Sequence, residues 1–420
     1  MDRLIFHVDV NSAFLSWEAT KRVELGEPDI REVPAVVGGD PSKRTSIVTA
    51  KSIPAKKYGI NTGEPISMAL RKCPNLVIVK SDFNIYIKYS TLFKKICKEY
   101  TPVMESFSID EVFLDMSGMK NIYPDPIATA YEIKDRIKNE LGFTVNVGIG
   151  NNKLCAKMAS DFTKPDRVHT LFLDEIEQKL WPLPVDDLFT CGKASAYKLG
   201  SIGIKTIGDL ARTDLSELKQ LLGERQGIHL REFANGIDDS PVVEQREEAK
   251  GYSAETTFEE NLDTISAINH ILLAQADVVA SRLRAENAKC RCVAVSFRTD
   301  EWKNKSHQRK LKISTDVTDE IYDVAKQLMA EFWKGESVRL VGLALSDIDR
   351  DGYEQMSFLV DEKNEKLKKL DSALDSIRTR FGNGSIKRAS VMDTQGRINR
   401  RFNAEAENKR QAGNTDITNI

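Results

Sequence analysis

The stretch RLIFHVDVNSAF, residues 3–14, reads as a buried strand that stops at an acid. Leu4, Ile5, Phe6 and Val8 are apolar, and Asp9 stands where the apolar run ends. A helix is expected to follow, from about Ser12 to Leu25. A second stretch repeats the theme. SFSIDEVFLDMSG (106–118) has the form strand, acidic turn, strand, with Asp110 and Glu111 at the turn between FSI and VFLD. Carboxylates at the ends of neighbouring central strands converge on one spot. Three anions gathered there stay charged only beside a cation, so a hard divalent ion, magnesium, is implied. Two such ions activate an attacking oxygen and stabilise a leaving one in phosphoryl transfer. Acids that simply face solvent are the alternative reading of either motif alone.

Working outward, strand and helix patterns interleave. VPAVVGG ends at a turn on Gly38, Gly39, Asp40 and Pro41, and SIVTA (46–50) is again strand-like. PAKKYGI reads as a short helix closed by Gly59. NLVIVKSD opens another strand, and a helix follows through IYIKYSTLFKKICKEY. A helix from about Ile127 to Leu141 leads to the strand FTVNVGIG. This is the pattern of an α+β domain, a mixed sheet covered by helices. From about Pro165 to Gly236 the pattern changes to short helices with glycine-rich turns. After a polar link, Asp238–Glu248, a new unit runs strand 250–258, helix 263–287, strand 290–299, strand 307–314, helix 317–333, strand 338–346. That β-α-β-β-α-β order has a ferredoxin-like look, with DEWKNKSHQ (300–308) as the loop between its middle strands. A helical amphipath, EKNEKLKKLDSALDSIRTRF, then precedes a polar end expected to be disordered.

Composition bounds the class. The chain has 420 residues, 41% hydrophobic and 30% charged, so several domains of a globular protein are expected. No apolar run approaches the ~20 residues of a membrane helix, and the first ten residues lack the pattern of a signal peptide. Six scattered cysteines suit neither a disulfide framework nor a zinc array, which points to a reduced, cytoplasmic protein. The net charge is only −2, yet Arg282–Lys312 holds ten Lys/Arg against three acids. Such a local excess suits a phosphate backbone; a solvated face is the alternative.

HVDVNSAF together with SIDEVFLD resembles the two catalytic motifs of the Y-family (translesion) DNA polymerases. Other segments follow in family order. VVGGDPSKR and AKSIPAKKYGI resemble the fingers, and VGIGNNKLCAKMASDFTKPD resembles the end of the palm. GKASAYKLGSIGIKTIGDLA resembles the helix-hairpin-helix of the thumb, and KGYSAETTF resembles the start of the little finger. The resemblance covers about residues 3–350 and is nearest to the bacterial DinB/UmuC branch. It implies a right-hand polymerase: palm at 1–17 and 78–165, fingers at 18–77, thumb at 166–237, linker at 238–247 and little finger at 248–350. Residues 351–420 would hold a clamp-binding peptide and a partly disordered tail.

The resemblance also implies roles. Asp9, Asp110, Glu111 and the Val10 carbonyl would hold two Mg2+ ions, with Glu105 nearby as an outer candidate. Phe14 falls on the steric gate that rejects a ribose 2′ hydroxyl by clash. The N–H groups of Ser12 and Ala13 would hold the outer phosphates of a deoxynucleoside triphosphate. Ala13 departs from the pattern, since relatives often carry an aromatic there. Ile53 and Lys56 stand where relatives have Tyr and Arg, so Lys56 keeps charge without a bidentate fork. Lys164 matches a palm lysine on the triphosphate, while Lys153 and Lys157 are open between DNA and solubility. Ser46 and Ile47 would roof the nascent base pair. Gly200 and Gly203 would present backbone N–H groups to a DNA phosphate. Arg298, Lys303, Lys305 and Arg309 would track phosphates of the primer-template. Gln355, Phe358 and Leu359 resemble a sliding-clamp-binding peptide, with the usual Leu-Phe order reversed. The function implied is low-fidelity, template-directed DNA synthesis past lesions by a cytoplasmic monomer. A catalytically weak relative acting as a DNA- and clamp-binding scaffold is the alternative. A palm-type nucleotide cyclase would have no use for the hairpin-turn thumb.

Overall fold

Strand β1 (Ile5–Val10) is buried at all six positions and lies in the middle of a five-stranded sheet. This architecture comes from a computed structural model, which describes residues 3–244, 248–350 and 362–389. The chain divides into two compact units: Met1–Ser42 with Ser46–Arg246, and Lys43–Thr45 with Glu247–Ile420.

In the first unit, β1 leads through the left-handed Ser12 (φ 47°) into helix α1 (Ala13–Glu24). Strands β2 (Ala35–Gly38) and β3 (Val48–Lys51), helices α2 (Ile53–Lys57) and α3 (Ile66–Lys72), and strand β4 (Val77–Lys80) follow. These strands form their own sheet in the order β3-β2-β4. Helix α4 (Phe83–Lys98) starts at Asp82, which accepts from Asn84 N, and leads to β5 (Met104–Ser106) and β6 (Glu111–Asp115). Asp125 caps helix α5 (Pro126–Leu141) by accepting from Ile127 N and Ala128 N. At the other end Gly142, at φ 75°, closes it in the left-handed conformation that suits glycine. Strand β7 (Val145–Gly150), helix α6 (Lys153–Asp161) and strand β8 (Val168–Leu171) complete the sheet, in the order β5-β6-β1-β7-β8. All its neighbours pair antiparallel except β7 and β8, so the sheet is mixed, as expected. β8 lies past the expected palm boundary at 165; four residues with His169 and Thr170 in the middle give a weak strand signal.

Two glycines in β7 decide how α6 lies. A Cβ on Gly148 would meet Ala156 O at 2.0 Å, and one on Gly150 would meet Cys155 Cβ at 2.6 Å. Only bare backbone there lets the helix sit directly on the sheet. Helices α7 (Lys193–Ser201), α8 (Ile207–Arg212), α9 (Leu215–Leu222) and α10 (Glu224–Ala234) then share a core of Leu199, Ile207, Leu210, Leu218 and Leu230. The expected polar link is pinned to this unit over its first half. Val242 packs with Ile5, Phe113 and Ala156, and Asp238 accepts from Leu154 N at 3.0 Å.

The second unit runs β9 (Gly251–Leu262), α11 (Ile265–Ala285), β10 (Lys289–Thr299), β11 (Asn304–Thr315), α12 (Thr318–Phe332), β12 (Val338–Asp349). The element order is the expected one, but the sheet order β11-β10-β12-β9 is wholly antiparallel, with the first and third strands at opposite edges. The expected loop 300–308 is mostly strand, because β11 starts at Asn304. An exposed edge strand of polar residues lacks the alternation that marks a half-buried one.

Helix α13 (Glu362–Phe381) belongs to this unit rather than to a loose tail. Leu374 is buried on its inner face, but so are Asp371 and Arg378. Arg378 forks onto both oxygens of the buried Asp277 on α11, at 3.1 and 2.8 Å. Asp371 accepts from Thr318 N at 2.8 Å and pairs with Arg284 at 3.2 Å. Buried, bidentate charge of this kind fixes register more than it adds stability, and breaking it is costly. Arg378→Ala should lower unfolding stability by about 3 kcal/mol, read by denaturant melts; a loss under about 0.5 kcal/mol would show that α13 is not latched.

Candidate active site

Strands β1 and β6 pair antiparallel with Asp9 opposite Glu111, and Val10 N donates to Asp110 O at 3.0 Å. The three acids of the two motifs therefore share one end of two adjacent central strands. The turn is longer than expected, since β5 ends at Ser106 and FSI is turn rather than strand. Its geometry is local: Phe107 N and Ser108 N both donate to Glu111 O at 3.2 Å, and Ser108 Oγ donates to Asp110 Oδ1 at 2.6 Å.

The acids are neutralised by lysines from α6 and the loop after it. Asp9 is 5% exposed, and Lys164 Nζ bonds its Oδ2. Burial pushes the Asp9 carboxyl up to about 6, against the opposing pull of Lys164 and Lys157. Lys157 Nζ meets Glu111 Oε1 at 2.5 Å and Asp161 at 3.4 Å. Lys164 also reaches Asp161 at 2.8 Å. One turn before Lys157, Lys153 holds both oxygens of Glu105 at 2.8 and 2.7 Å, and Glu105 accepts from Val243 N as well. Glu105 is thus held in a structural pair. Beneath, His7 is fully buried with Nδ1 2.8 Å from Ser160 Oγ, and burial keeps it well below its ordinary pKa.

The donors at the strand ends fit a hard divalent cation. The side-chain donors are carboxylate oxygens, and Asp9 is too buried to carry charge without a cation beside it. Among the described residues, no three acids, cysteines or histidines are gathered into a ready ligand set. As the side chains lie, ammonium groups hold Asp9 and Glu111.

Phe14 sits in the first turn of α1, half-buried, its ring stacked on Tyr86 at 4.5 Å and 14°. Tyr86 is fixed in turn by donating to Glu18 Oε1 at 2.7 Å. Ser12 is exposed, whereas Ala13 is buried. On α2, Lys56 and Ile53 are both exposed. Ser46 is buried and Ile47 is 45% exposed. In the helix-hairpin-helix turn, Gly203 is at φ 88°, and a Cβ on Gly200 or Gly203 would meet nothing within 4 Å. The turn's backbone is thus open to a close ligand.

The basic cluster divides between two sides of the second sheet. Val293, Val295 and Phe297 of β10 face the helical core, and opposite them stand Arg309, His307 and Lys305. Arg309 bonds Gln327 and Glu331 of α12, and Lys305 bonds Glu336. Lys303, in the turn, pairs with Glu301 at 2.6 Å. Arg298 lies on the other side with the small residues Ser296, Gly342, Ser346 and Ser253 and with Glu255, and Lys310, paired with Asp347 at 2.8 Å, shares it. The expected single patch of Arg298, Lys303, Lys305 and Arg309 is therefore not what the strand register produces. Gln355, Phe358 and Leu359 lie outside the described residues.

Paired acids at the ends of palm strands, a helix-hairpin-helix and an antiparallel little finger define a right-hand nucleotidyltransferase. Family models match along the chain: the impB/mucB/samB family at residues 8–161, a DNA polymerase-iota thumb domain at 186–238, and the impB/mucB/samB C-terminal domain at 249–358. The DNA polymerase IV of Clostridium acetobutylicum is 43% identical over 400 residues, covering 94% of this chain and 100% of the relative. That of Acetivibrio thermocellus is 36% identical over 401 residues, covering 94% and 99%. A solved Y-family DNA polymerase chimera shares the fold, with TM-score 0.71 at 23% identity, over 82% of this chain and 99% of its own. The chain belongs to the impB/mucB/samB family of Y-family DNA polymerases.

Sequence reasoning missed the floor under Phe14 and the targets of the α6 lysines. The i, i+4 spacing of Lys153 and Lys157 was visible, but the acids they meet depend on which strands α6 covers.

Proposed function

We propose that the chain is a template-directed DNA polymerase that adds deoxynucleotides to a primer 3′ end and copies past lesions with low fidelity. The observation that carries this reading is Asp9 set opposite Glu111 with Asp110 beside them, at the end of two central palm strands. Asp9, Asp110, Glu111 and the Val10 carbonyl are the groups to hold two magnesium ions, which when bound neutralise developing charge in phosphoryl transfer. The protein's own part is positioning. Phe14, backed by Tyr86, closes the space under the sugar. Lys164 and Lys56, with the N–H groups of Ser12 and Ala13, receive the triphosphate. Deoxynucleoside triphosphates, primer-template DNA and a sliding clamp at Gln355–Leu359 are the proposed partners of a cytoplasmic monomer. Primer extension on an undamaged and a lesion-bearing template tests the reading; no extension on either would leave the DNA- and clamp-binding scaffold.

For DNA contact, the sheet face with Arg298 and Lys310 is preferred over the helical side. Its small residues permit close approach, and Arg298 bonds the neutral Asn304, whereas Lys305 and Arg309, like Lys310 on Asp347, have acid partners. Arg298→Ala with Lys310→Ala should weaken binding to all sequences alike and reduce the salt slope by up to ~0.9 per lost phosphate contact. Lys305→Ala with Arg309→Ala should change the slope far less. Fluorescence anisotropy across a salt series checks both; a wild-type slope in both pairs would return the whole cluster to a solvated face, and equal reductions would remove the preference for one side.

A further inference from the structure

Lys157 has no role in the proposed chemistry, yet it is among the most constrained lysines of the first unit. Its side chain is 12% exposed, against 37% for Lys164. It stands in the middle of α6, and Gly148 and Gly150 let that helix lie so close to the sheet that a Cβ on either would clash. A lysine rooted there has little room to move. Its ammonium meets Oε1 of Glu111, one oxygen only, with Asp161 one turn on at 3.4 Å. Lys164 is different: it follows the end of α6, is three times as exposed, and bonds Asp9 Oδ2 and Asp161.

We propose that Lys157 is a positioning residue. It fixes the Glu111 carboxylate through Oε1 so that Oε2 is presented to a divalent cation, and it stays in place when the cation binds. Lys164 is the exchangeable counter-charge, leaving Asp9 as the cation arrives. A group that orients a ligand without touching the metal typically controls 10–100-fold in affinity or rate. Lys157 has a second effect of opposite sign, because its positive charge opposes cation binding. Taking it away should therefore tighten metal binding while slowing turnover. Neither a solubilising lysine nor a DNA contact does that.

The inference rests on Asp9, Asp110 and Glu111 being the metal ligands, and the test separates the two. The full-length wild type, Lys157→Met, Lys157→Arg and Glu111→Gln are compared with primer-template DNA. Mn2+ affinity is measured by calorimetry without nucleotide, and kcat and the nucleotide KM by single-nucleotide extension. Lys157→Met should bind Mn2+ about thirtyfold more tightly, the effect of one unit charge on a doubly charged ion about 4 Å away in water. Its kcat should fall about 10–100-fold with KM within about threefold, a loss confined to the bound complex. Lys157→Arg, which keeps the charge and the donor, should recover most of kcat and the wild-type Mn2+ affinity. If Lys157→Met weakens DNA binding instead, with Mn2+ affinity and kcat unmoved, Lys157 is a DNA contact and the proposal fails. If nothing moves, it is a solubilising residue and the proposal fails equally. Should Lys157→Met prove unstable, Lys157→Gln, which also removes the charge, decides in its place: tighter Mn2+ binding with a lower kcat keeps the positioning role, and unchanged values in every assay overturn it. If Glu111→Gln extends primers and binds Mn2+ like the wild type, the ligand assignment itself is wrong, whatever Lys157 does.

Discussion

Asp110→Asn is expected to lower nucleotide addition at least about a thousandfold, ~4 kcal/mol of barrier, while primer-template affinity stays within about twofold. The size follows from what the substitution removes. Asparagine is isosteric with aspartate, so one oxygen and one charge go and the shape stays. Ser108 Oγ can still donate to the remaining side-chain oxygen, as it does to Asp110 Oδ1 at 2.6 Å. The backbone bond from Val10 N to Asp110 O does not involve the side chain at all. Fold and turn should therefore survive, and a melt within a few degrees of the wild type would verify that. What is lost is a hard anionic donor at the strand ends that also carry Asp9 and Glu111. Phosphoryl transfer depends on positioning and charge neutralisation, so few other groups can compensate. Single-turnover extension in magnesium, beside anisotropy on the same DNA, measures the two halves. Extension within tenfold of the wild type would mean that the reaction does not run through these strand ends.

That such a test can be aimed at one carboxylate reflects how plainly this part of the site is written in the chain. An apolar run ending in Asp9, and a second strand opening after Asp110, place the acids as soon as the two strands pair. Period and burial suffice, because β1 is buried throughout and has no solvent face to confuse the pattern. The lysines are another matter. Lys157 reaches Glu111 because α6 crosses the sheet at Gly148 and Gly150, and the close packing behind VGIG is a property of topology, invisible in a linear count. The basic cluster is divided between two sides for a related reason. Ten positive residues in a short span are easily counted, but Lys305 and Arg309 sit two and six residues from Lys303 on a strand whose sides face opposite ways. Period two assigns them to the helical side only after β10 supplies the register. Helix α13 was visible as an amphipath, yet its inner face carries Asp371 and Arg378, so hydropathy could not foresee that it docks by charge.

The second large effect concerns the sugar. Phe14→Ala should raise ribonucleotide insertion relative to deoxynucleotide by at least ~100-fold, about 2.7 kcal/mol of discrimination. Discrimination by clash needs a wall that does not yield, and the packing around Phe14 supplies one. The ring is stacked on Tyr86 at 4.5 Å and meets the edge of Phe83 at 6.0 Å, with Trp17 also at 6.0 Å. Tyr86 itself is buried and tied to Glu18, so the ring under Phe14 cannot tilt away without breaking a hydrogen bond of 2.7 Å. A 2′ hydroxyl would have to displace this whole stack, whereas a hydrogen fits. Alanine removes the wall and leaves the floor, so deoxynucleotide insertion should fall far less than the ratio changes. Because Phe14 is only half-buried, its loss should cost less than the 3–5 kcal/mol typical of a fully buried Phe→Ala. Side-by-side kcat/KM values for matched ribo- and deoxynucleoside triphosphates decide the matter. An unchanged ratio would move the gate elsewhere and reduce Phe14 to a packing residue of α1. A raised ratio in Tyr86→Ala as well, with Phe14 intact, would show that the rigidity of the stack, and not the ring alone, excludes the hydroxyl.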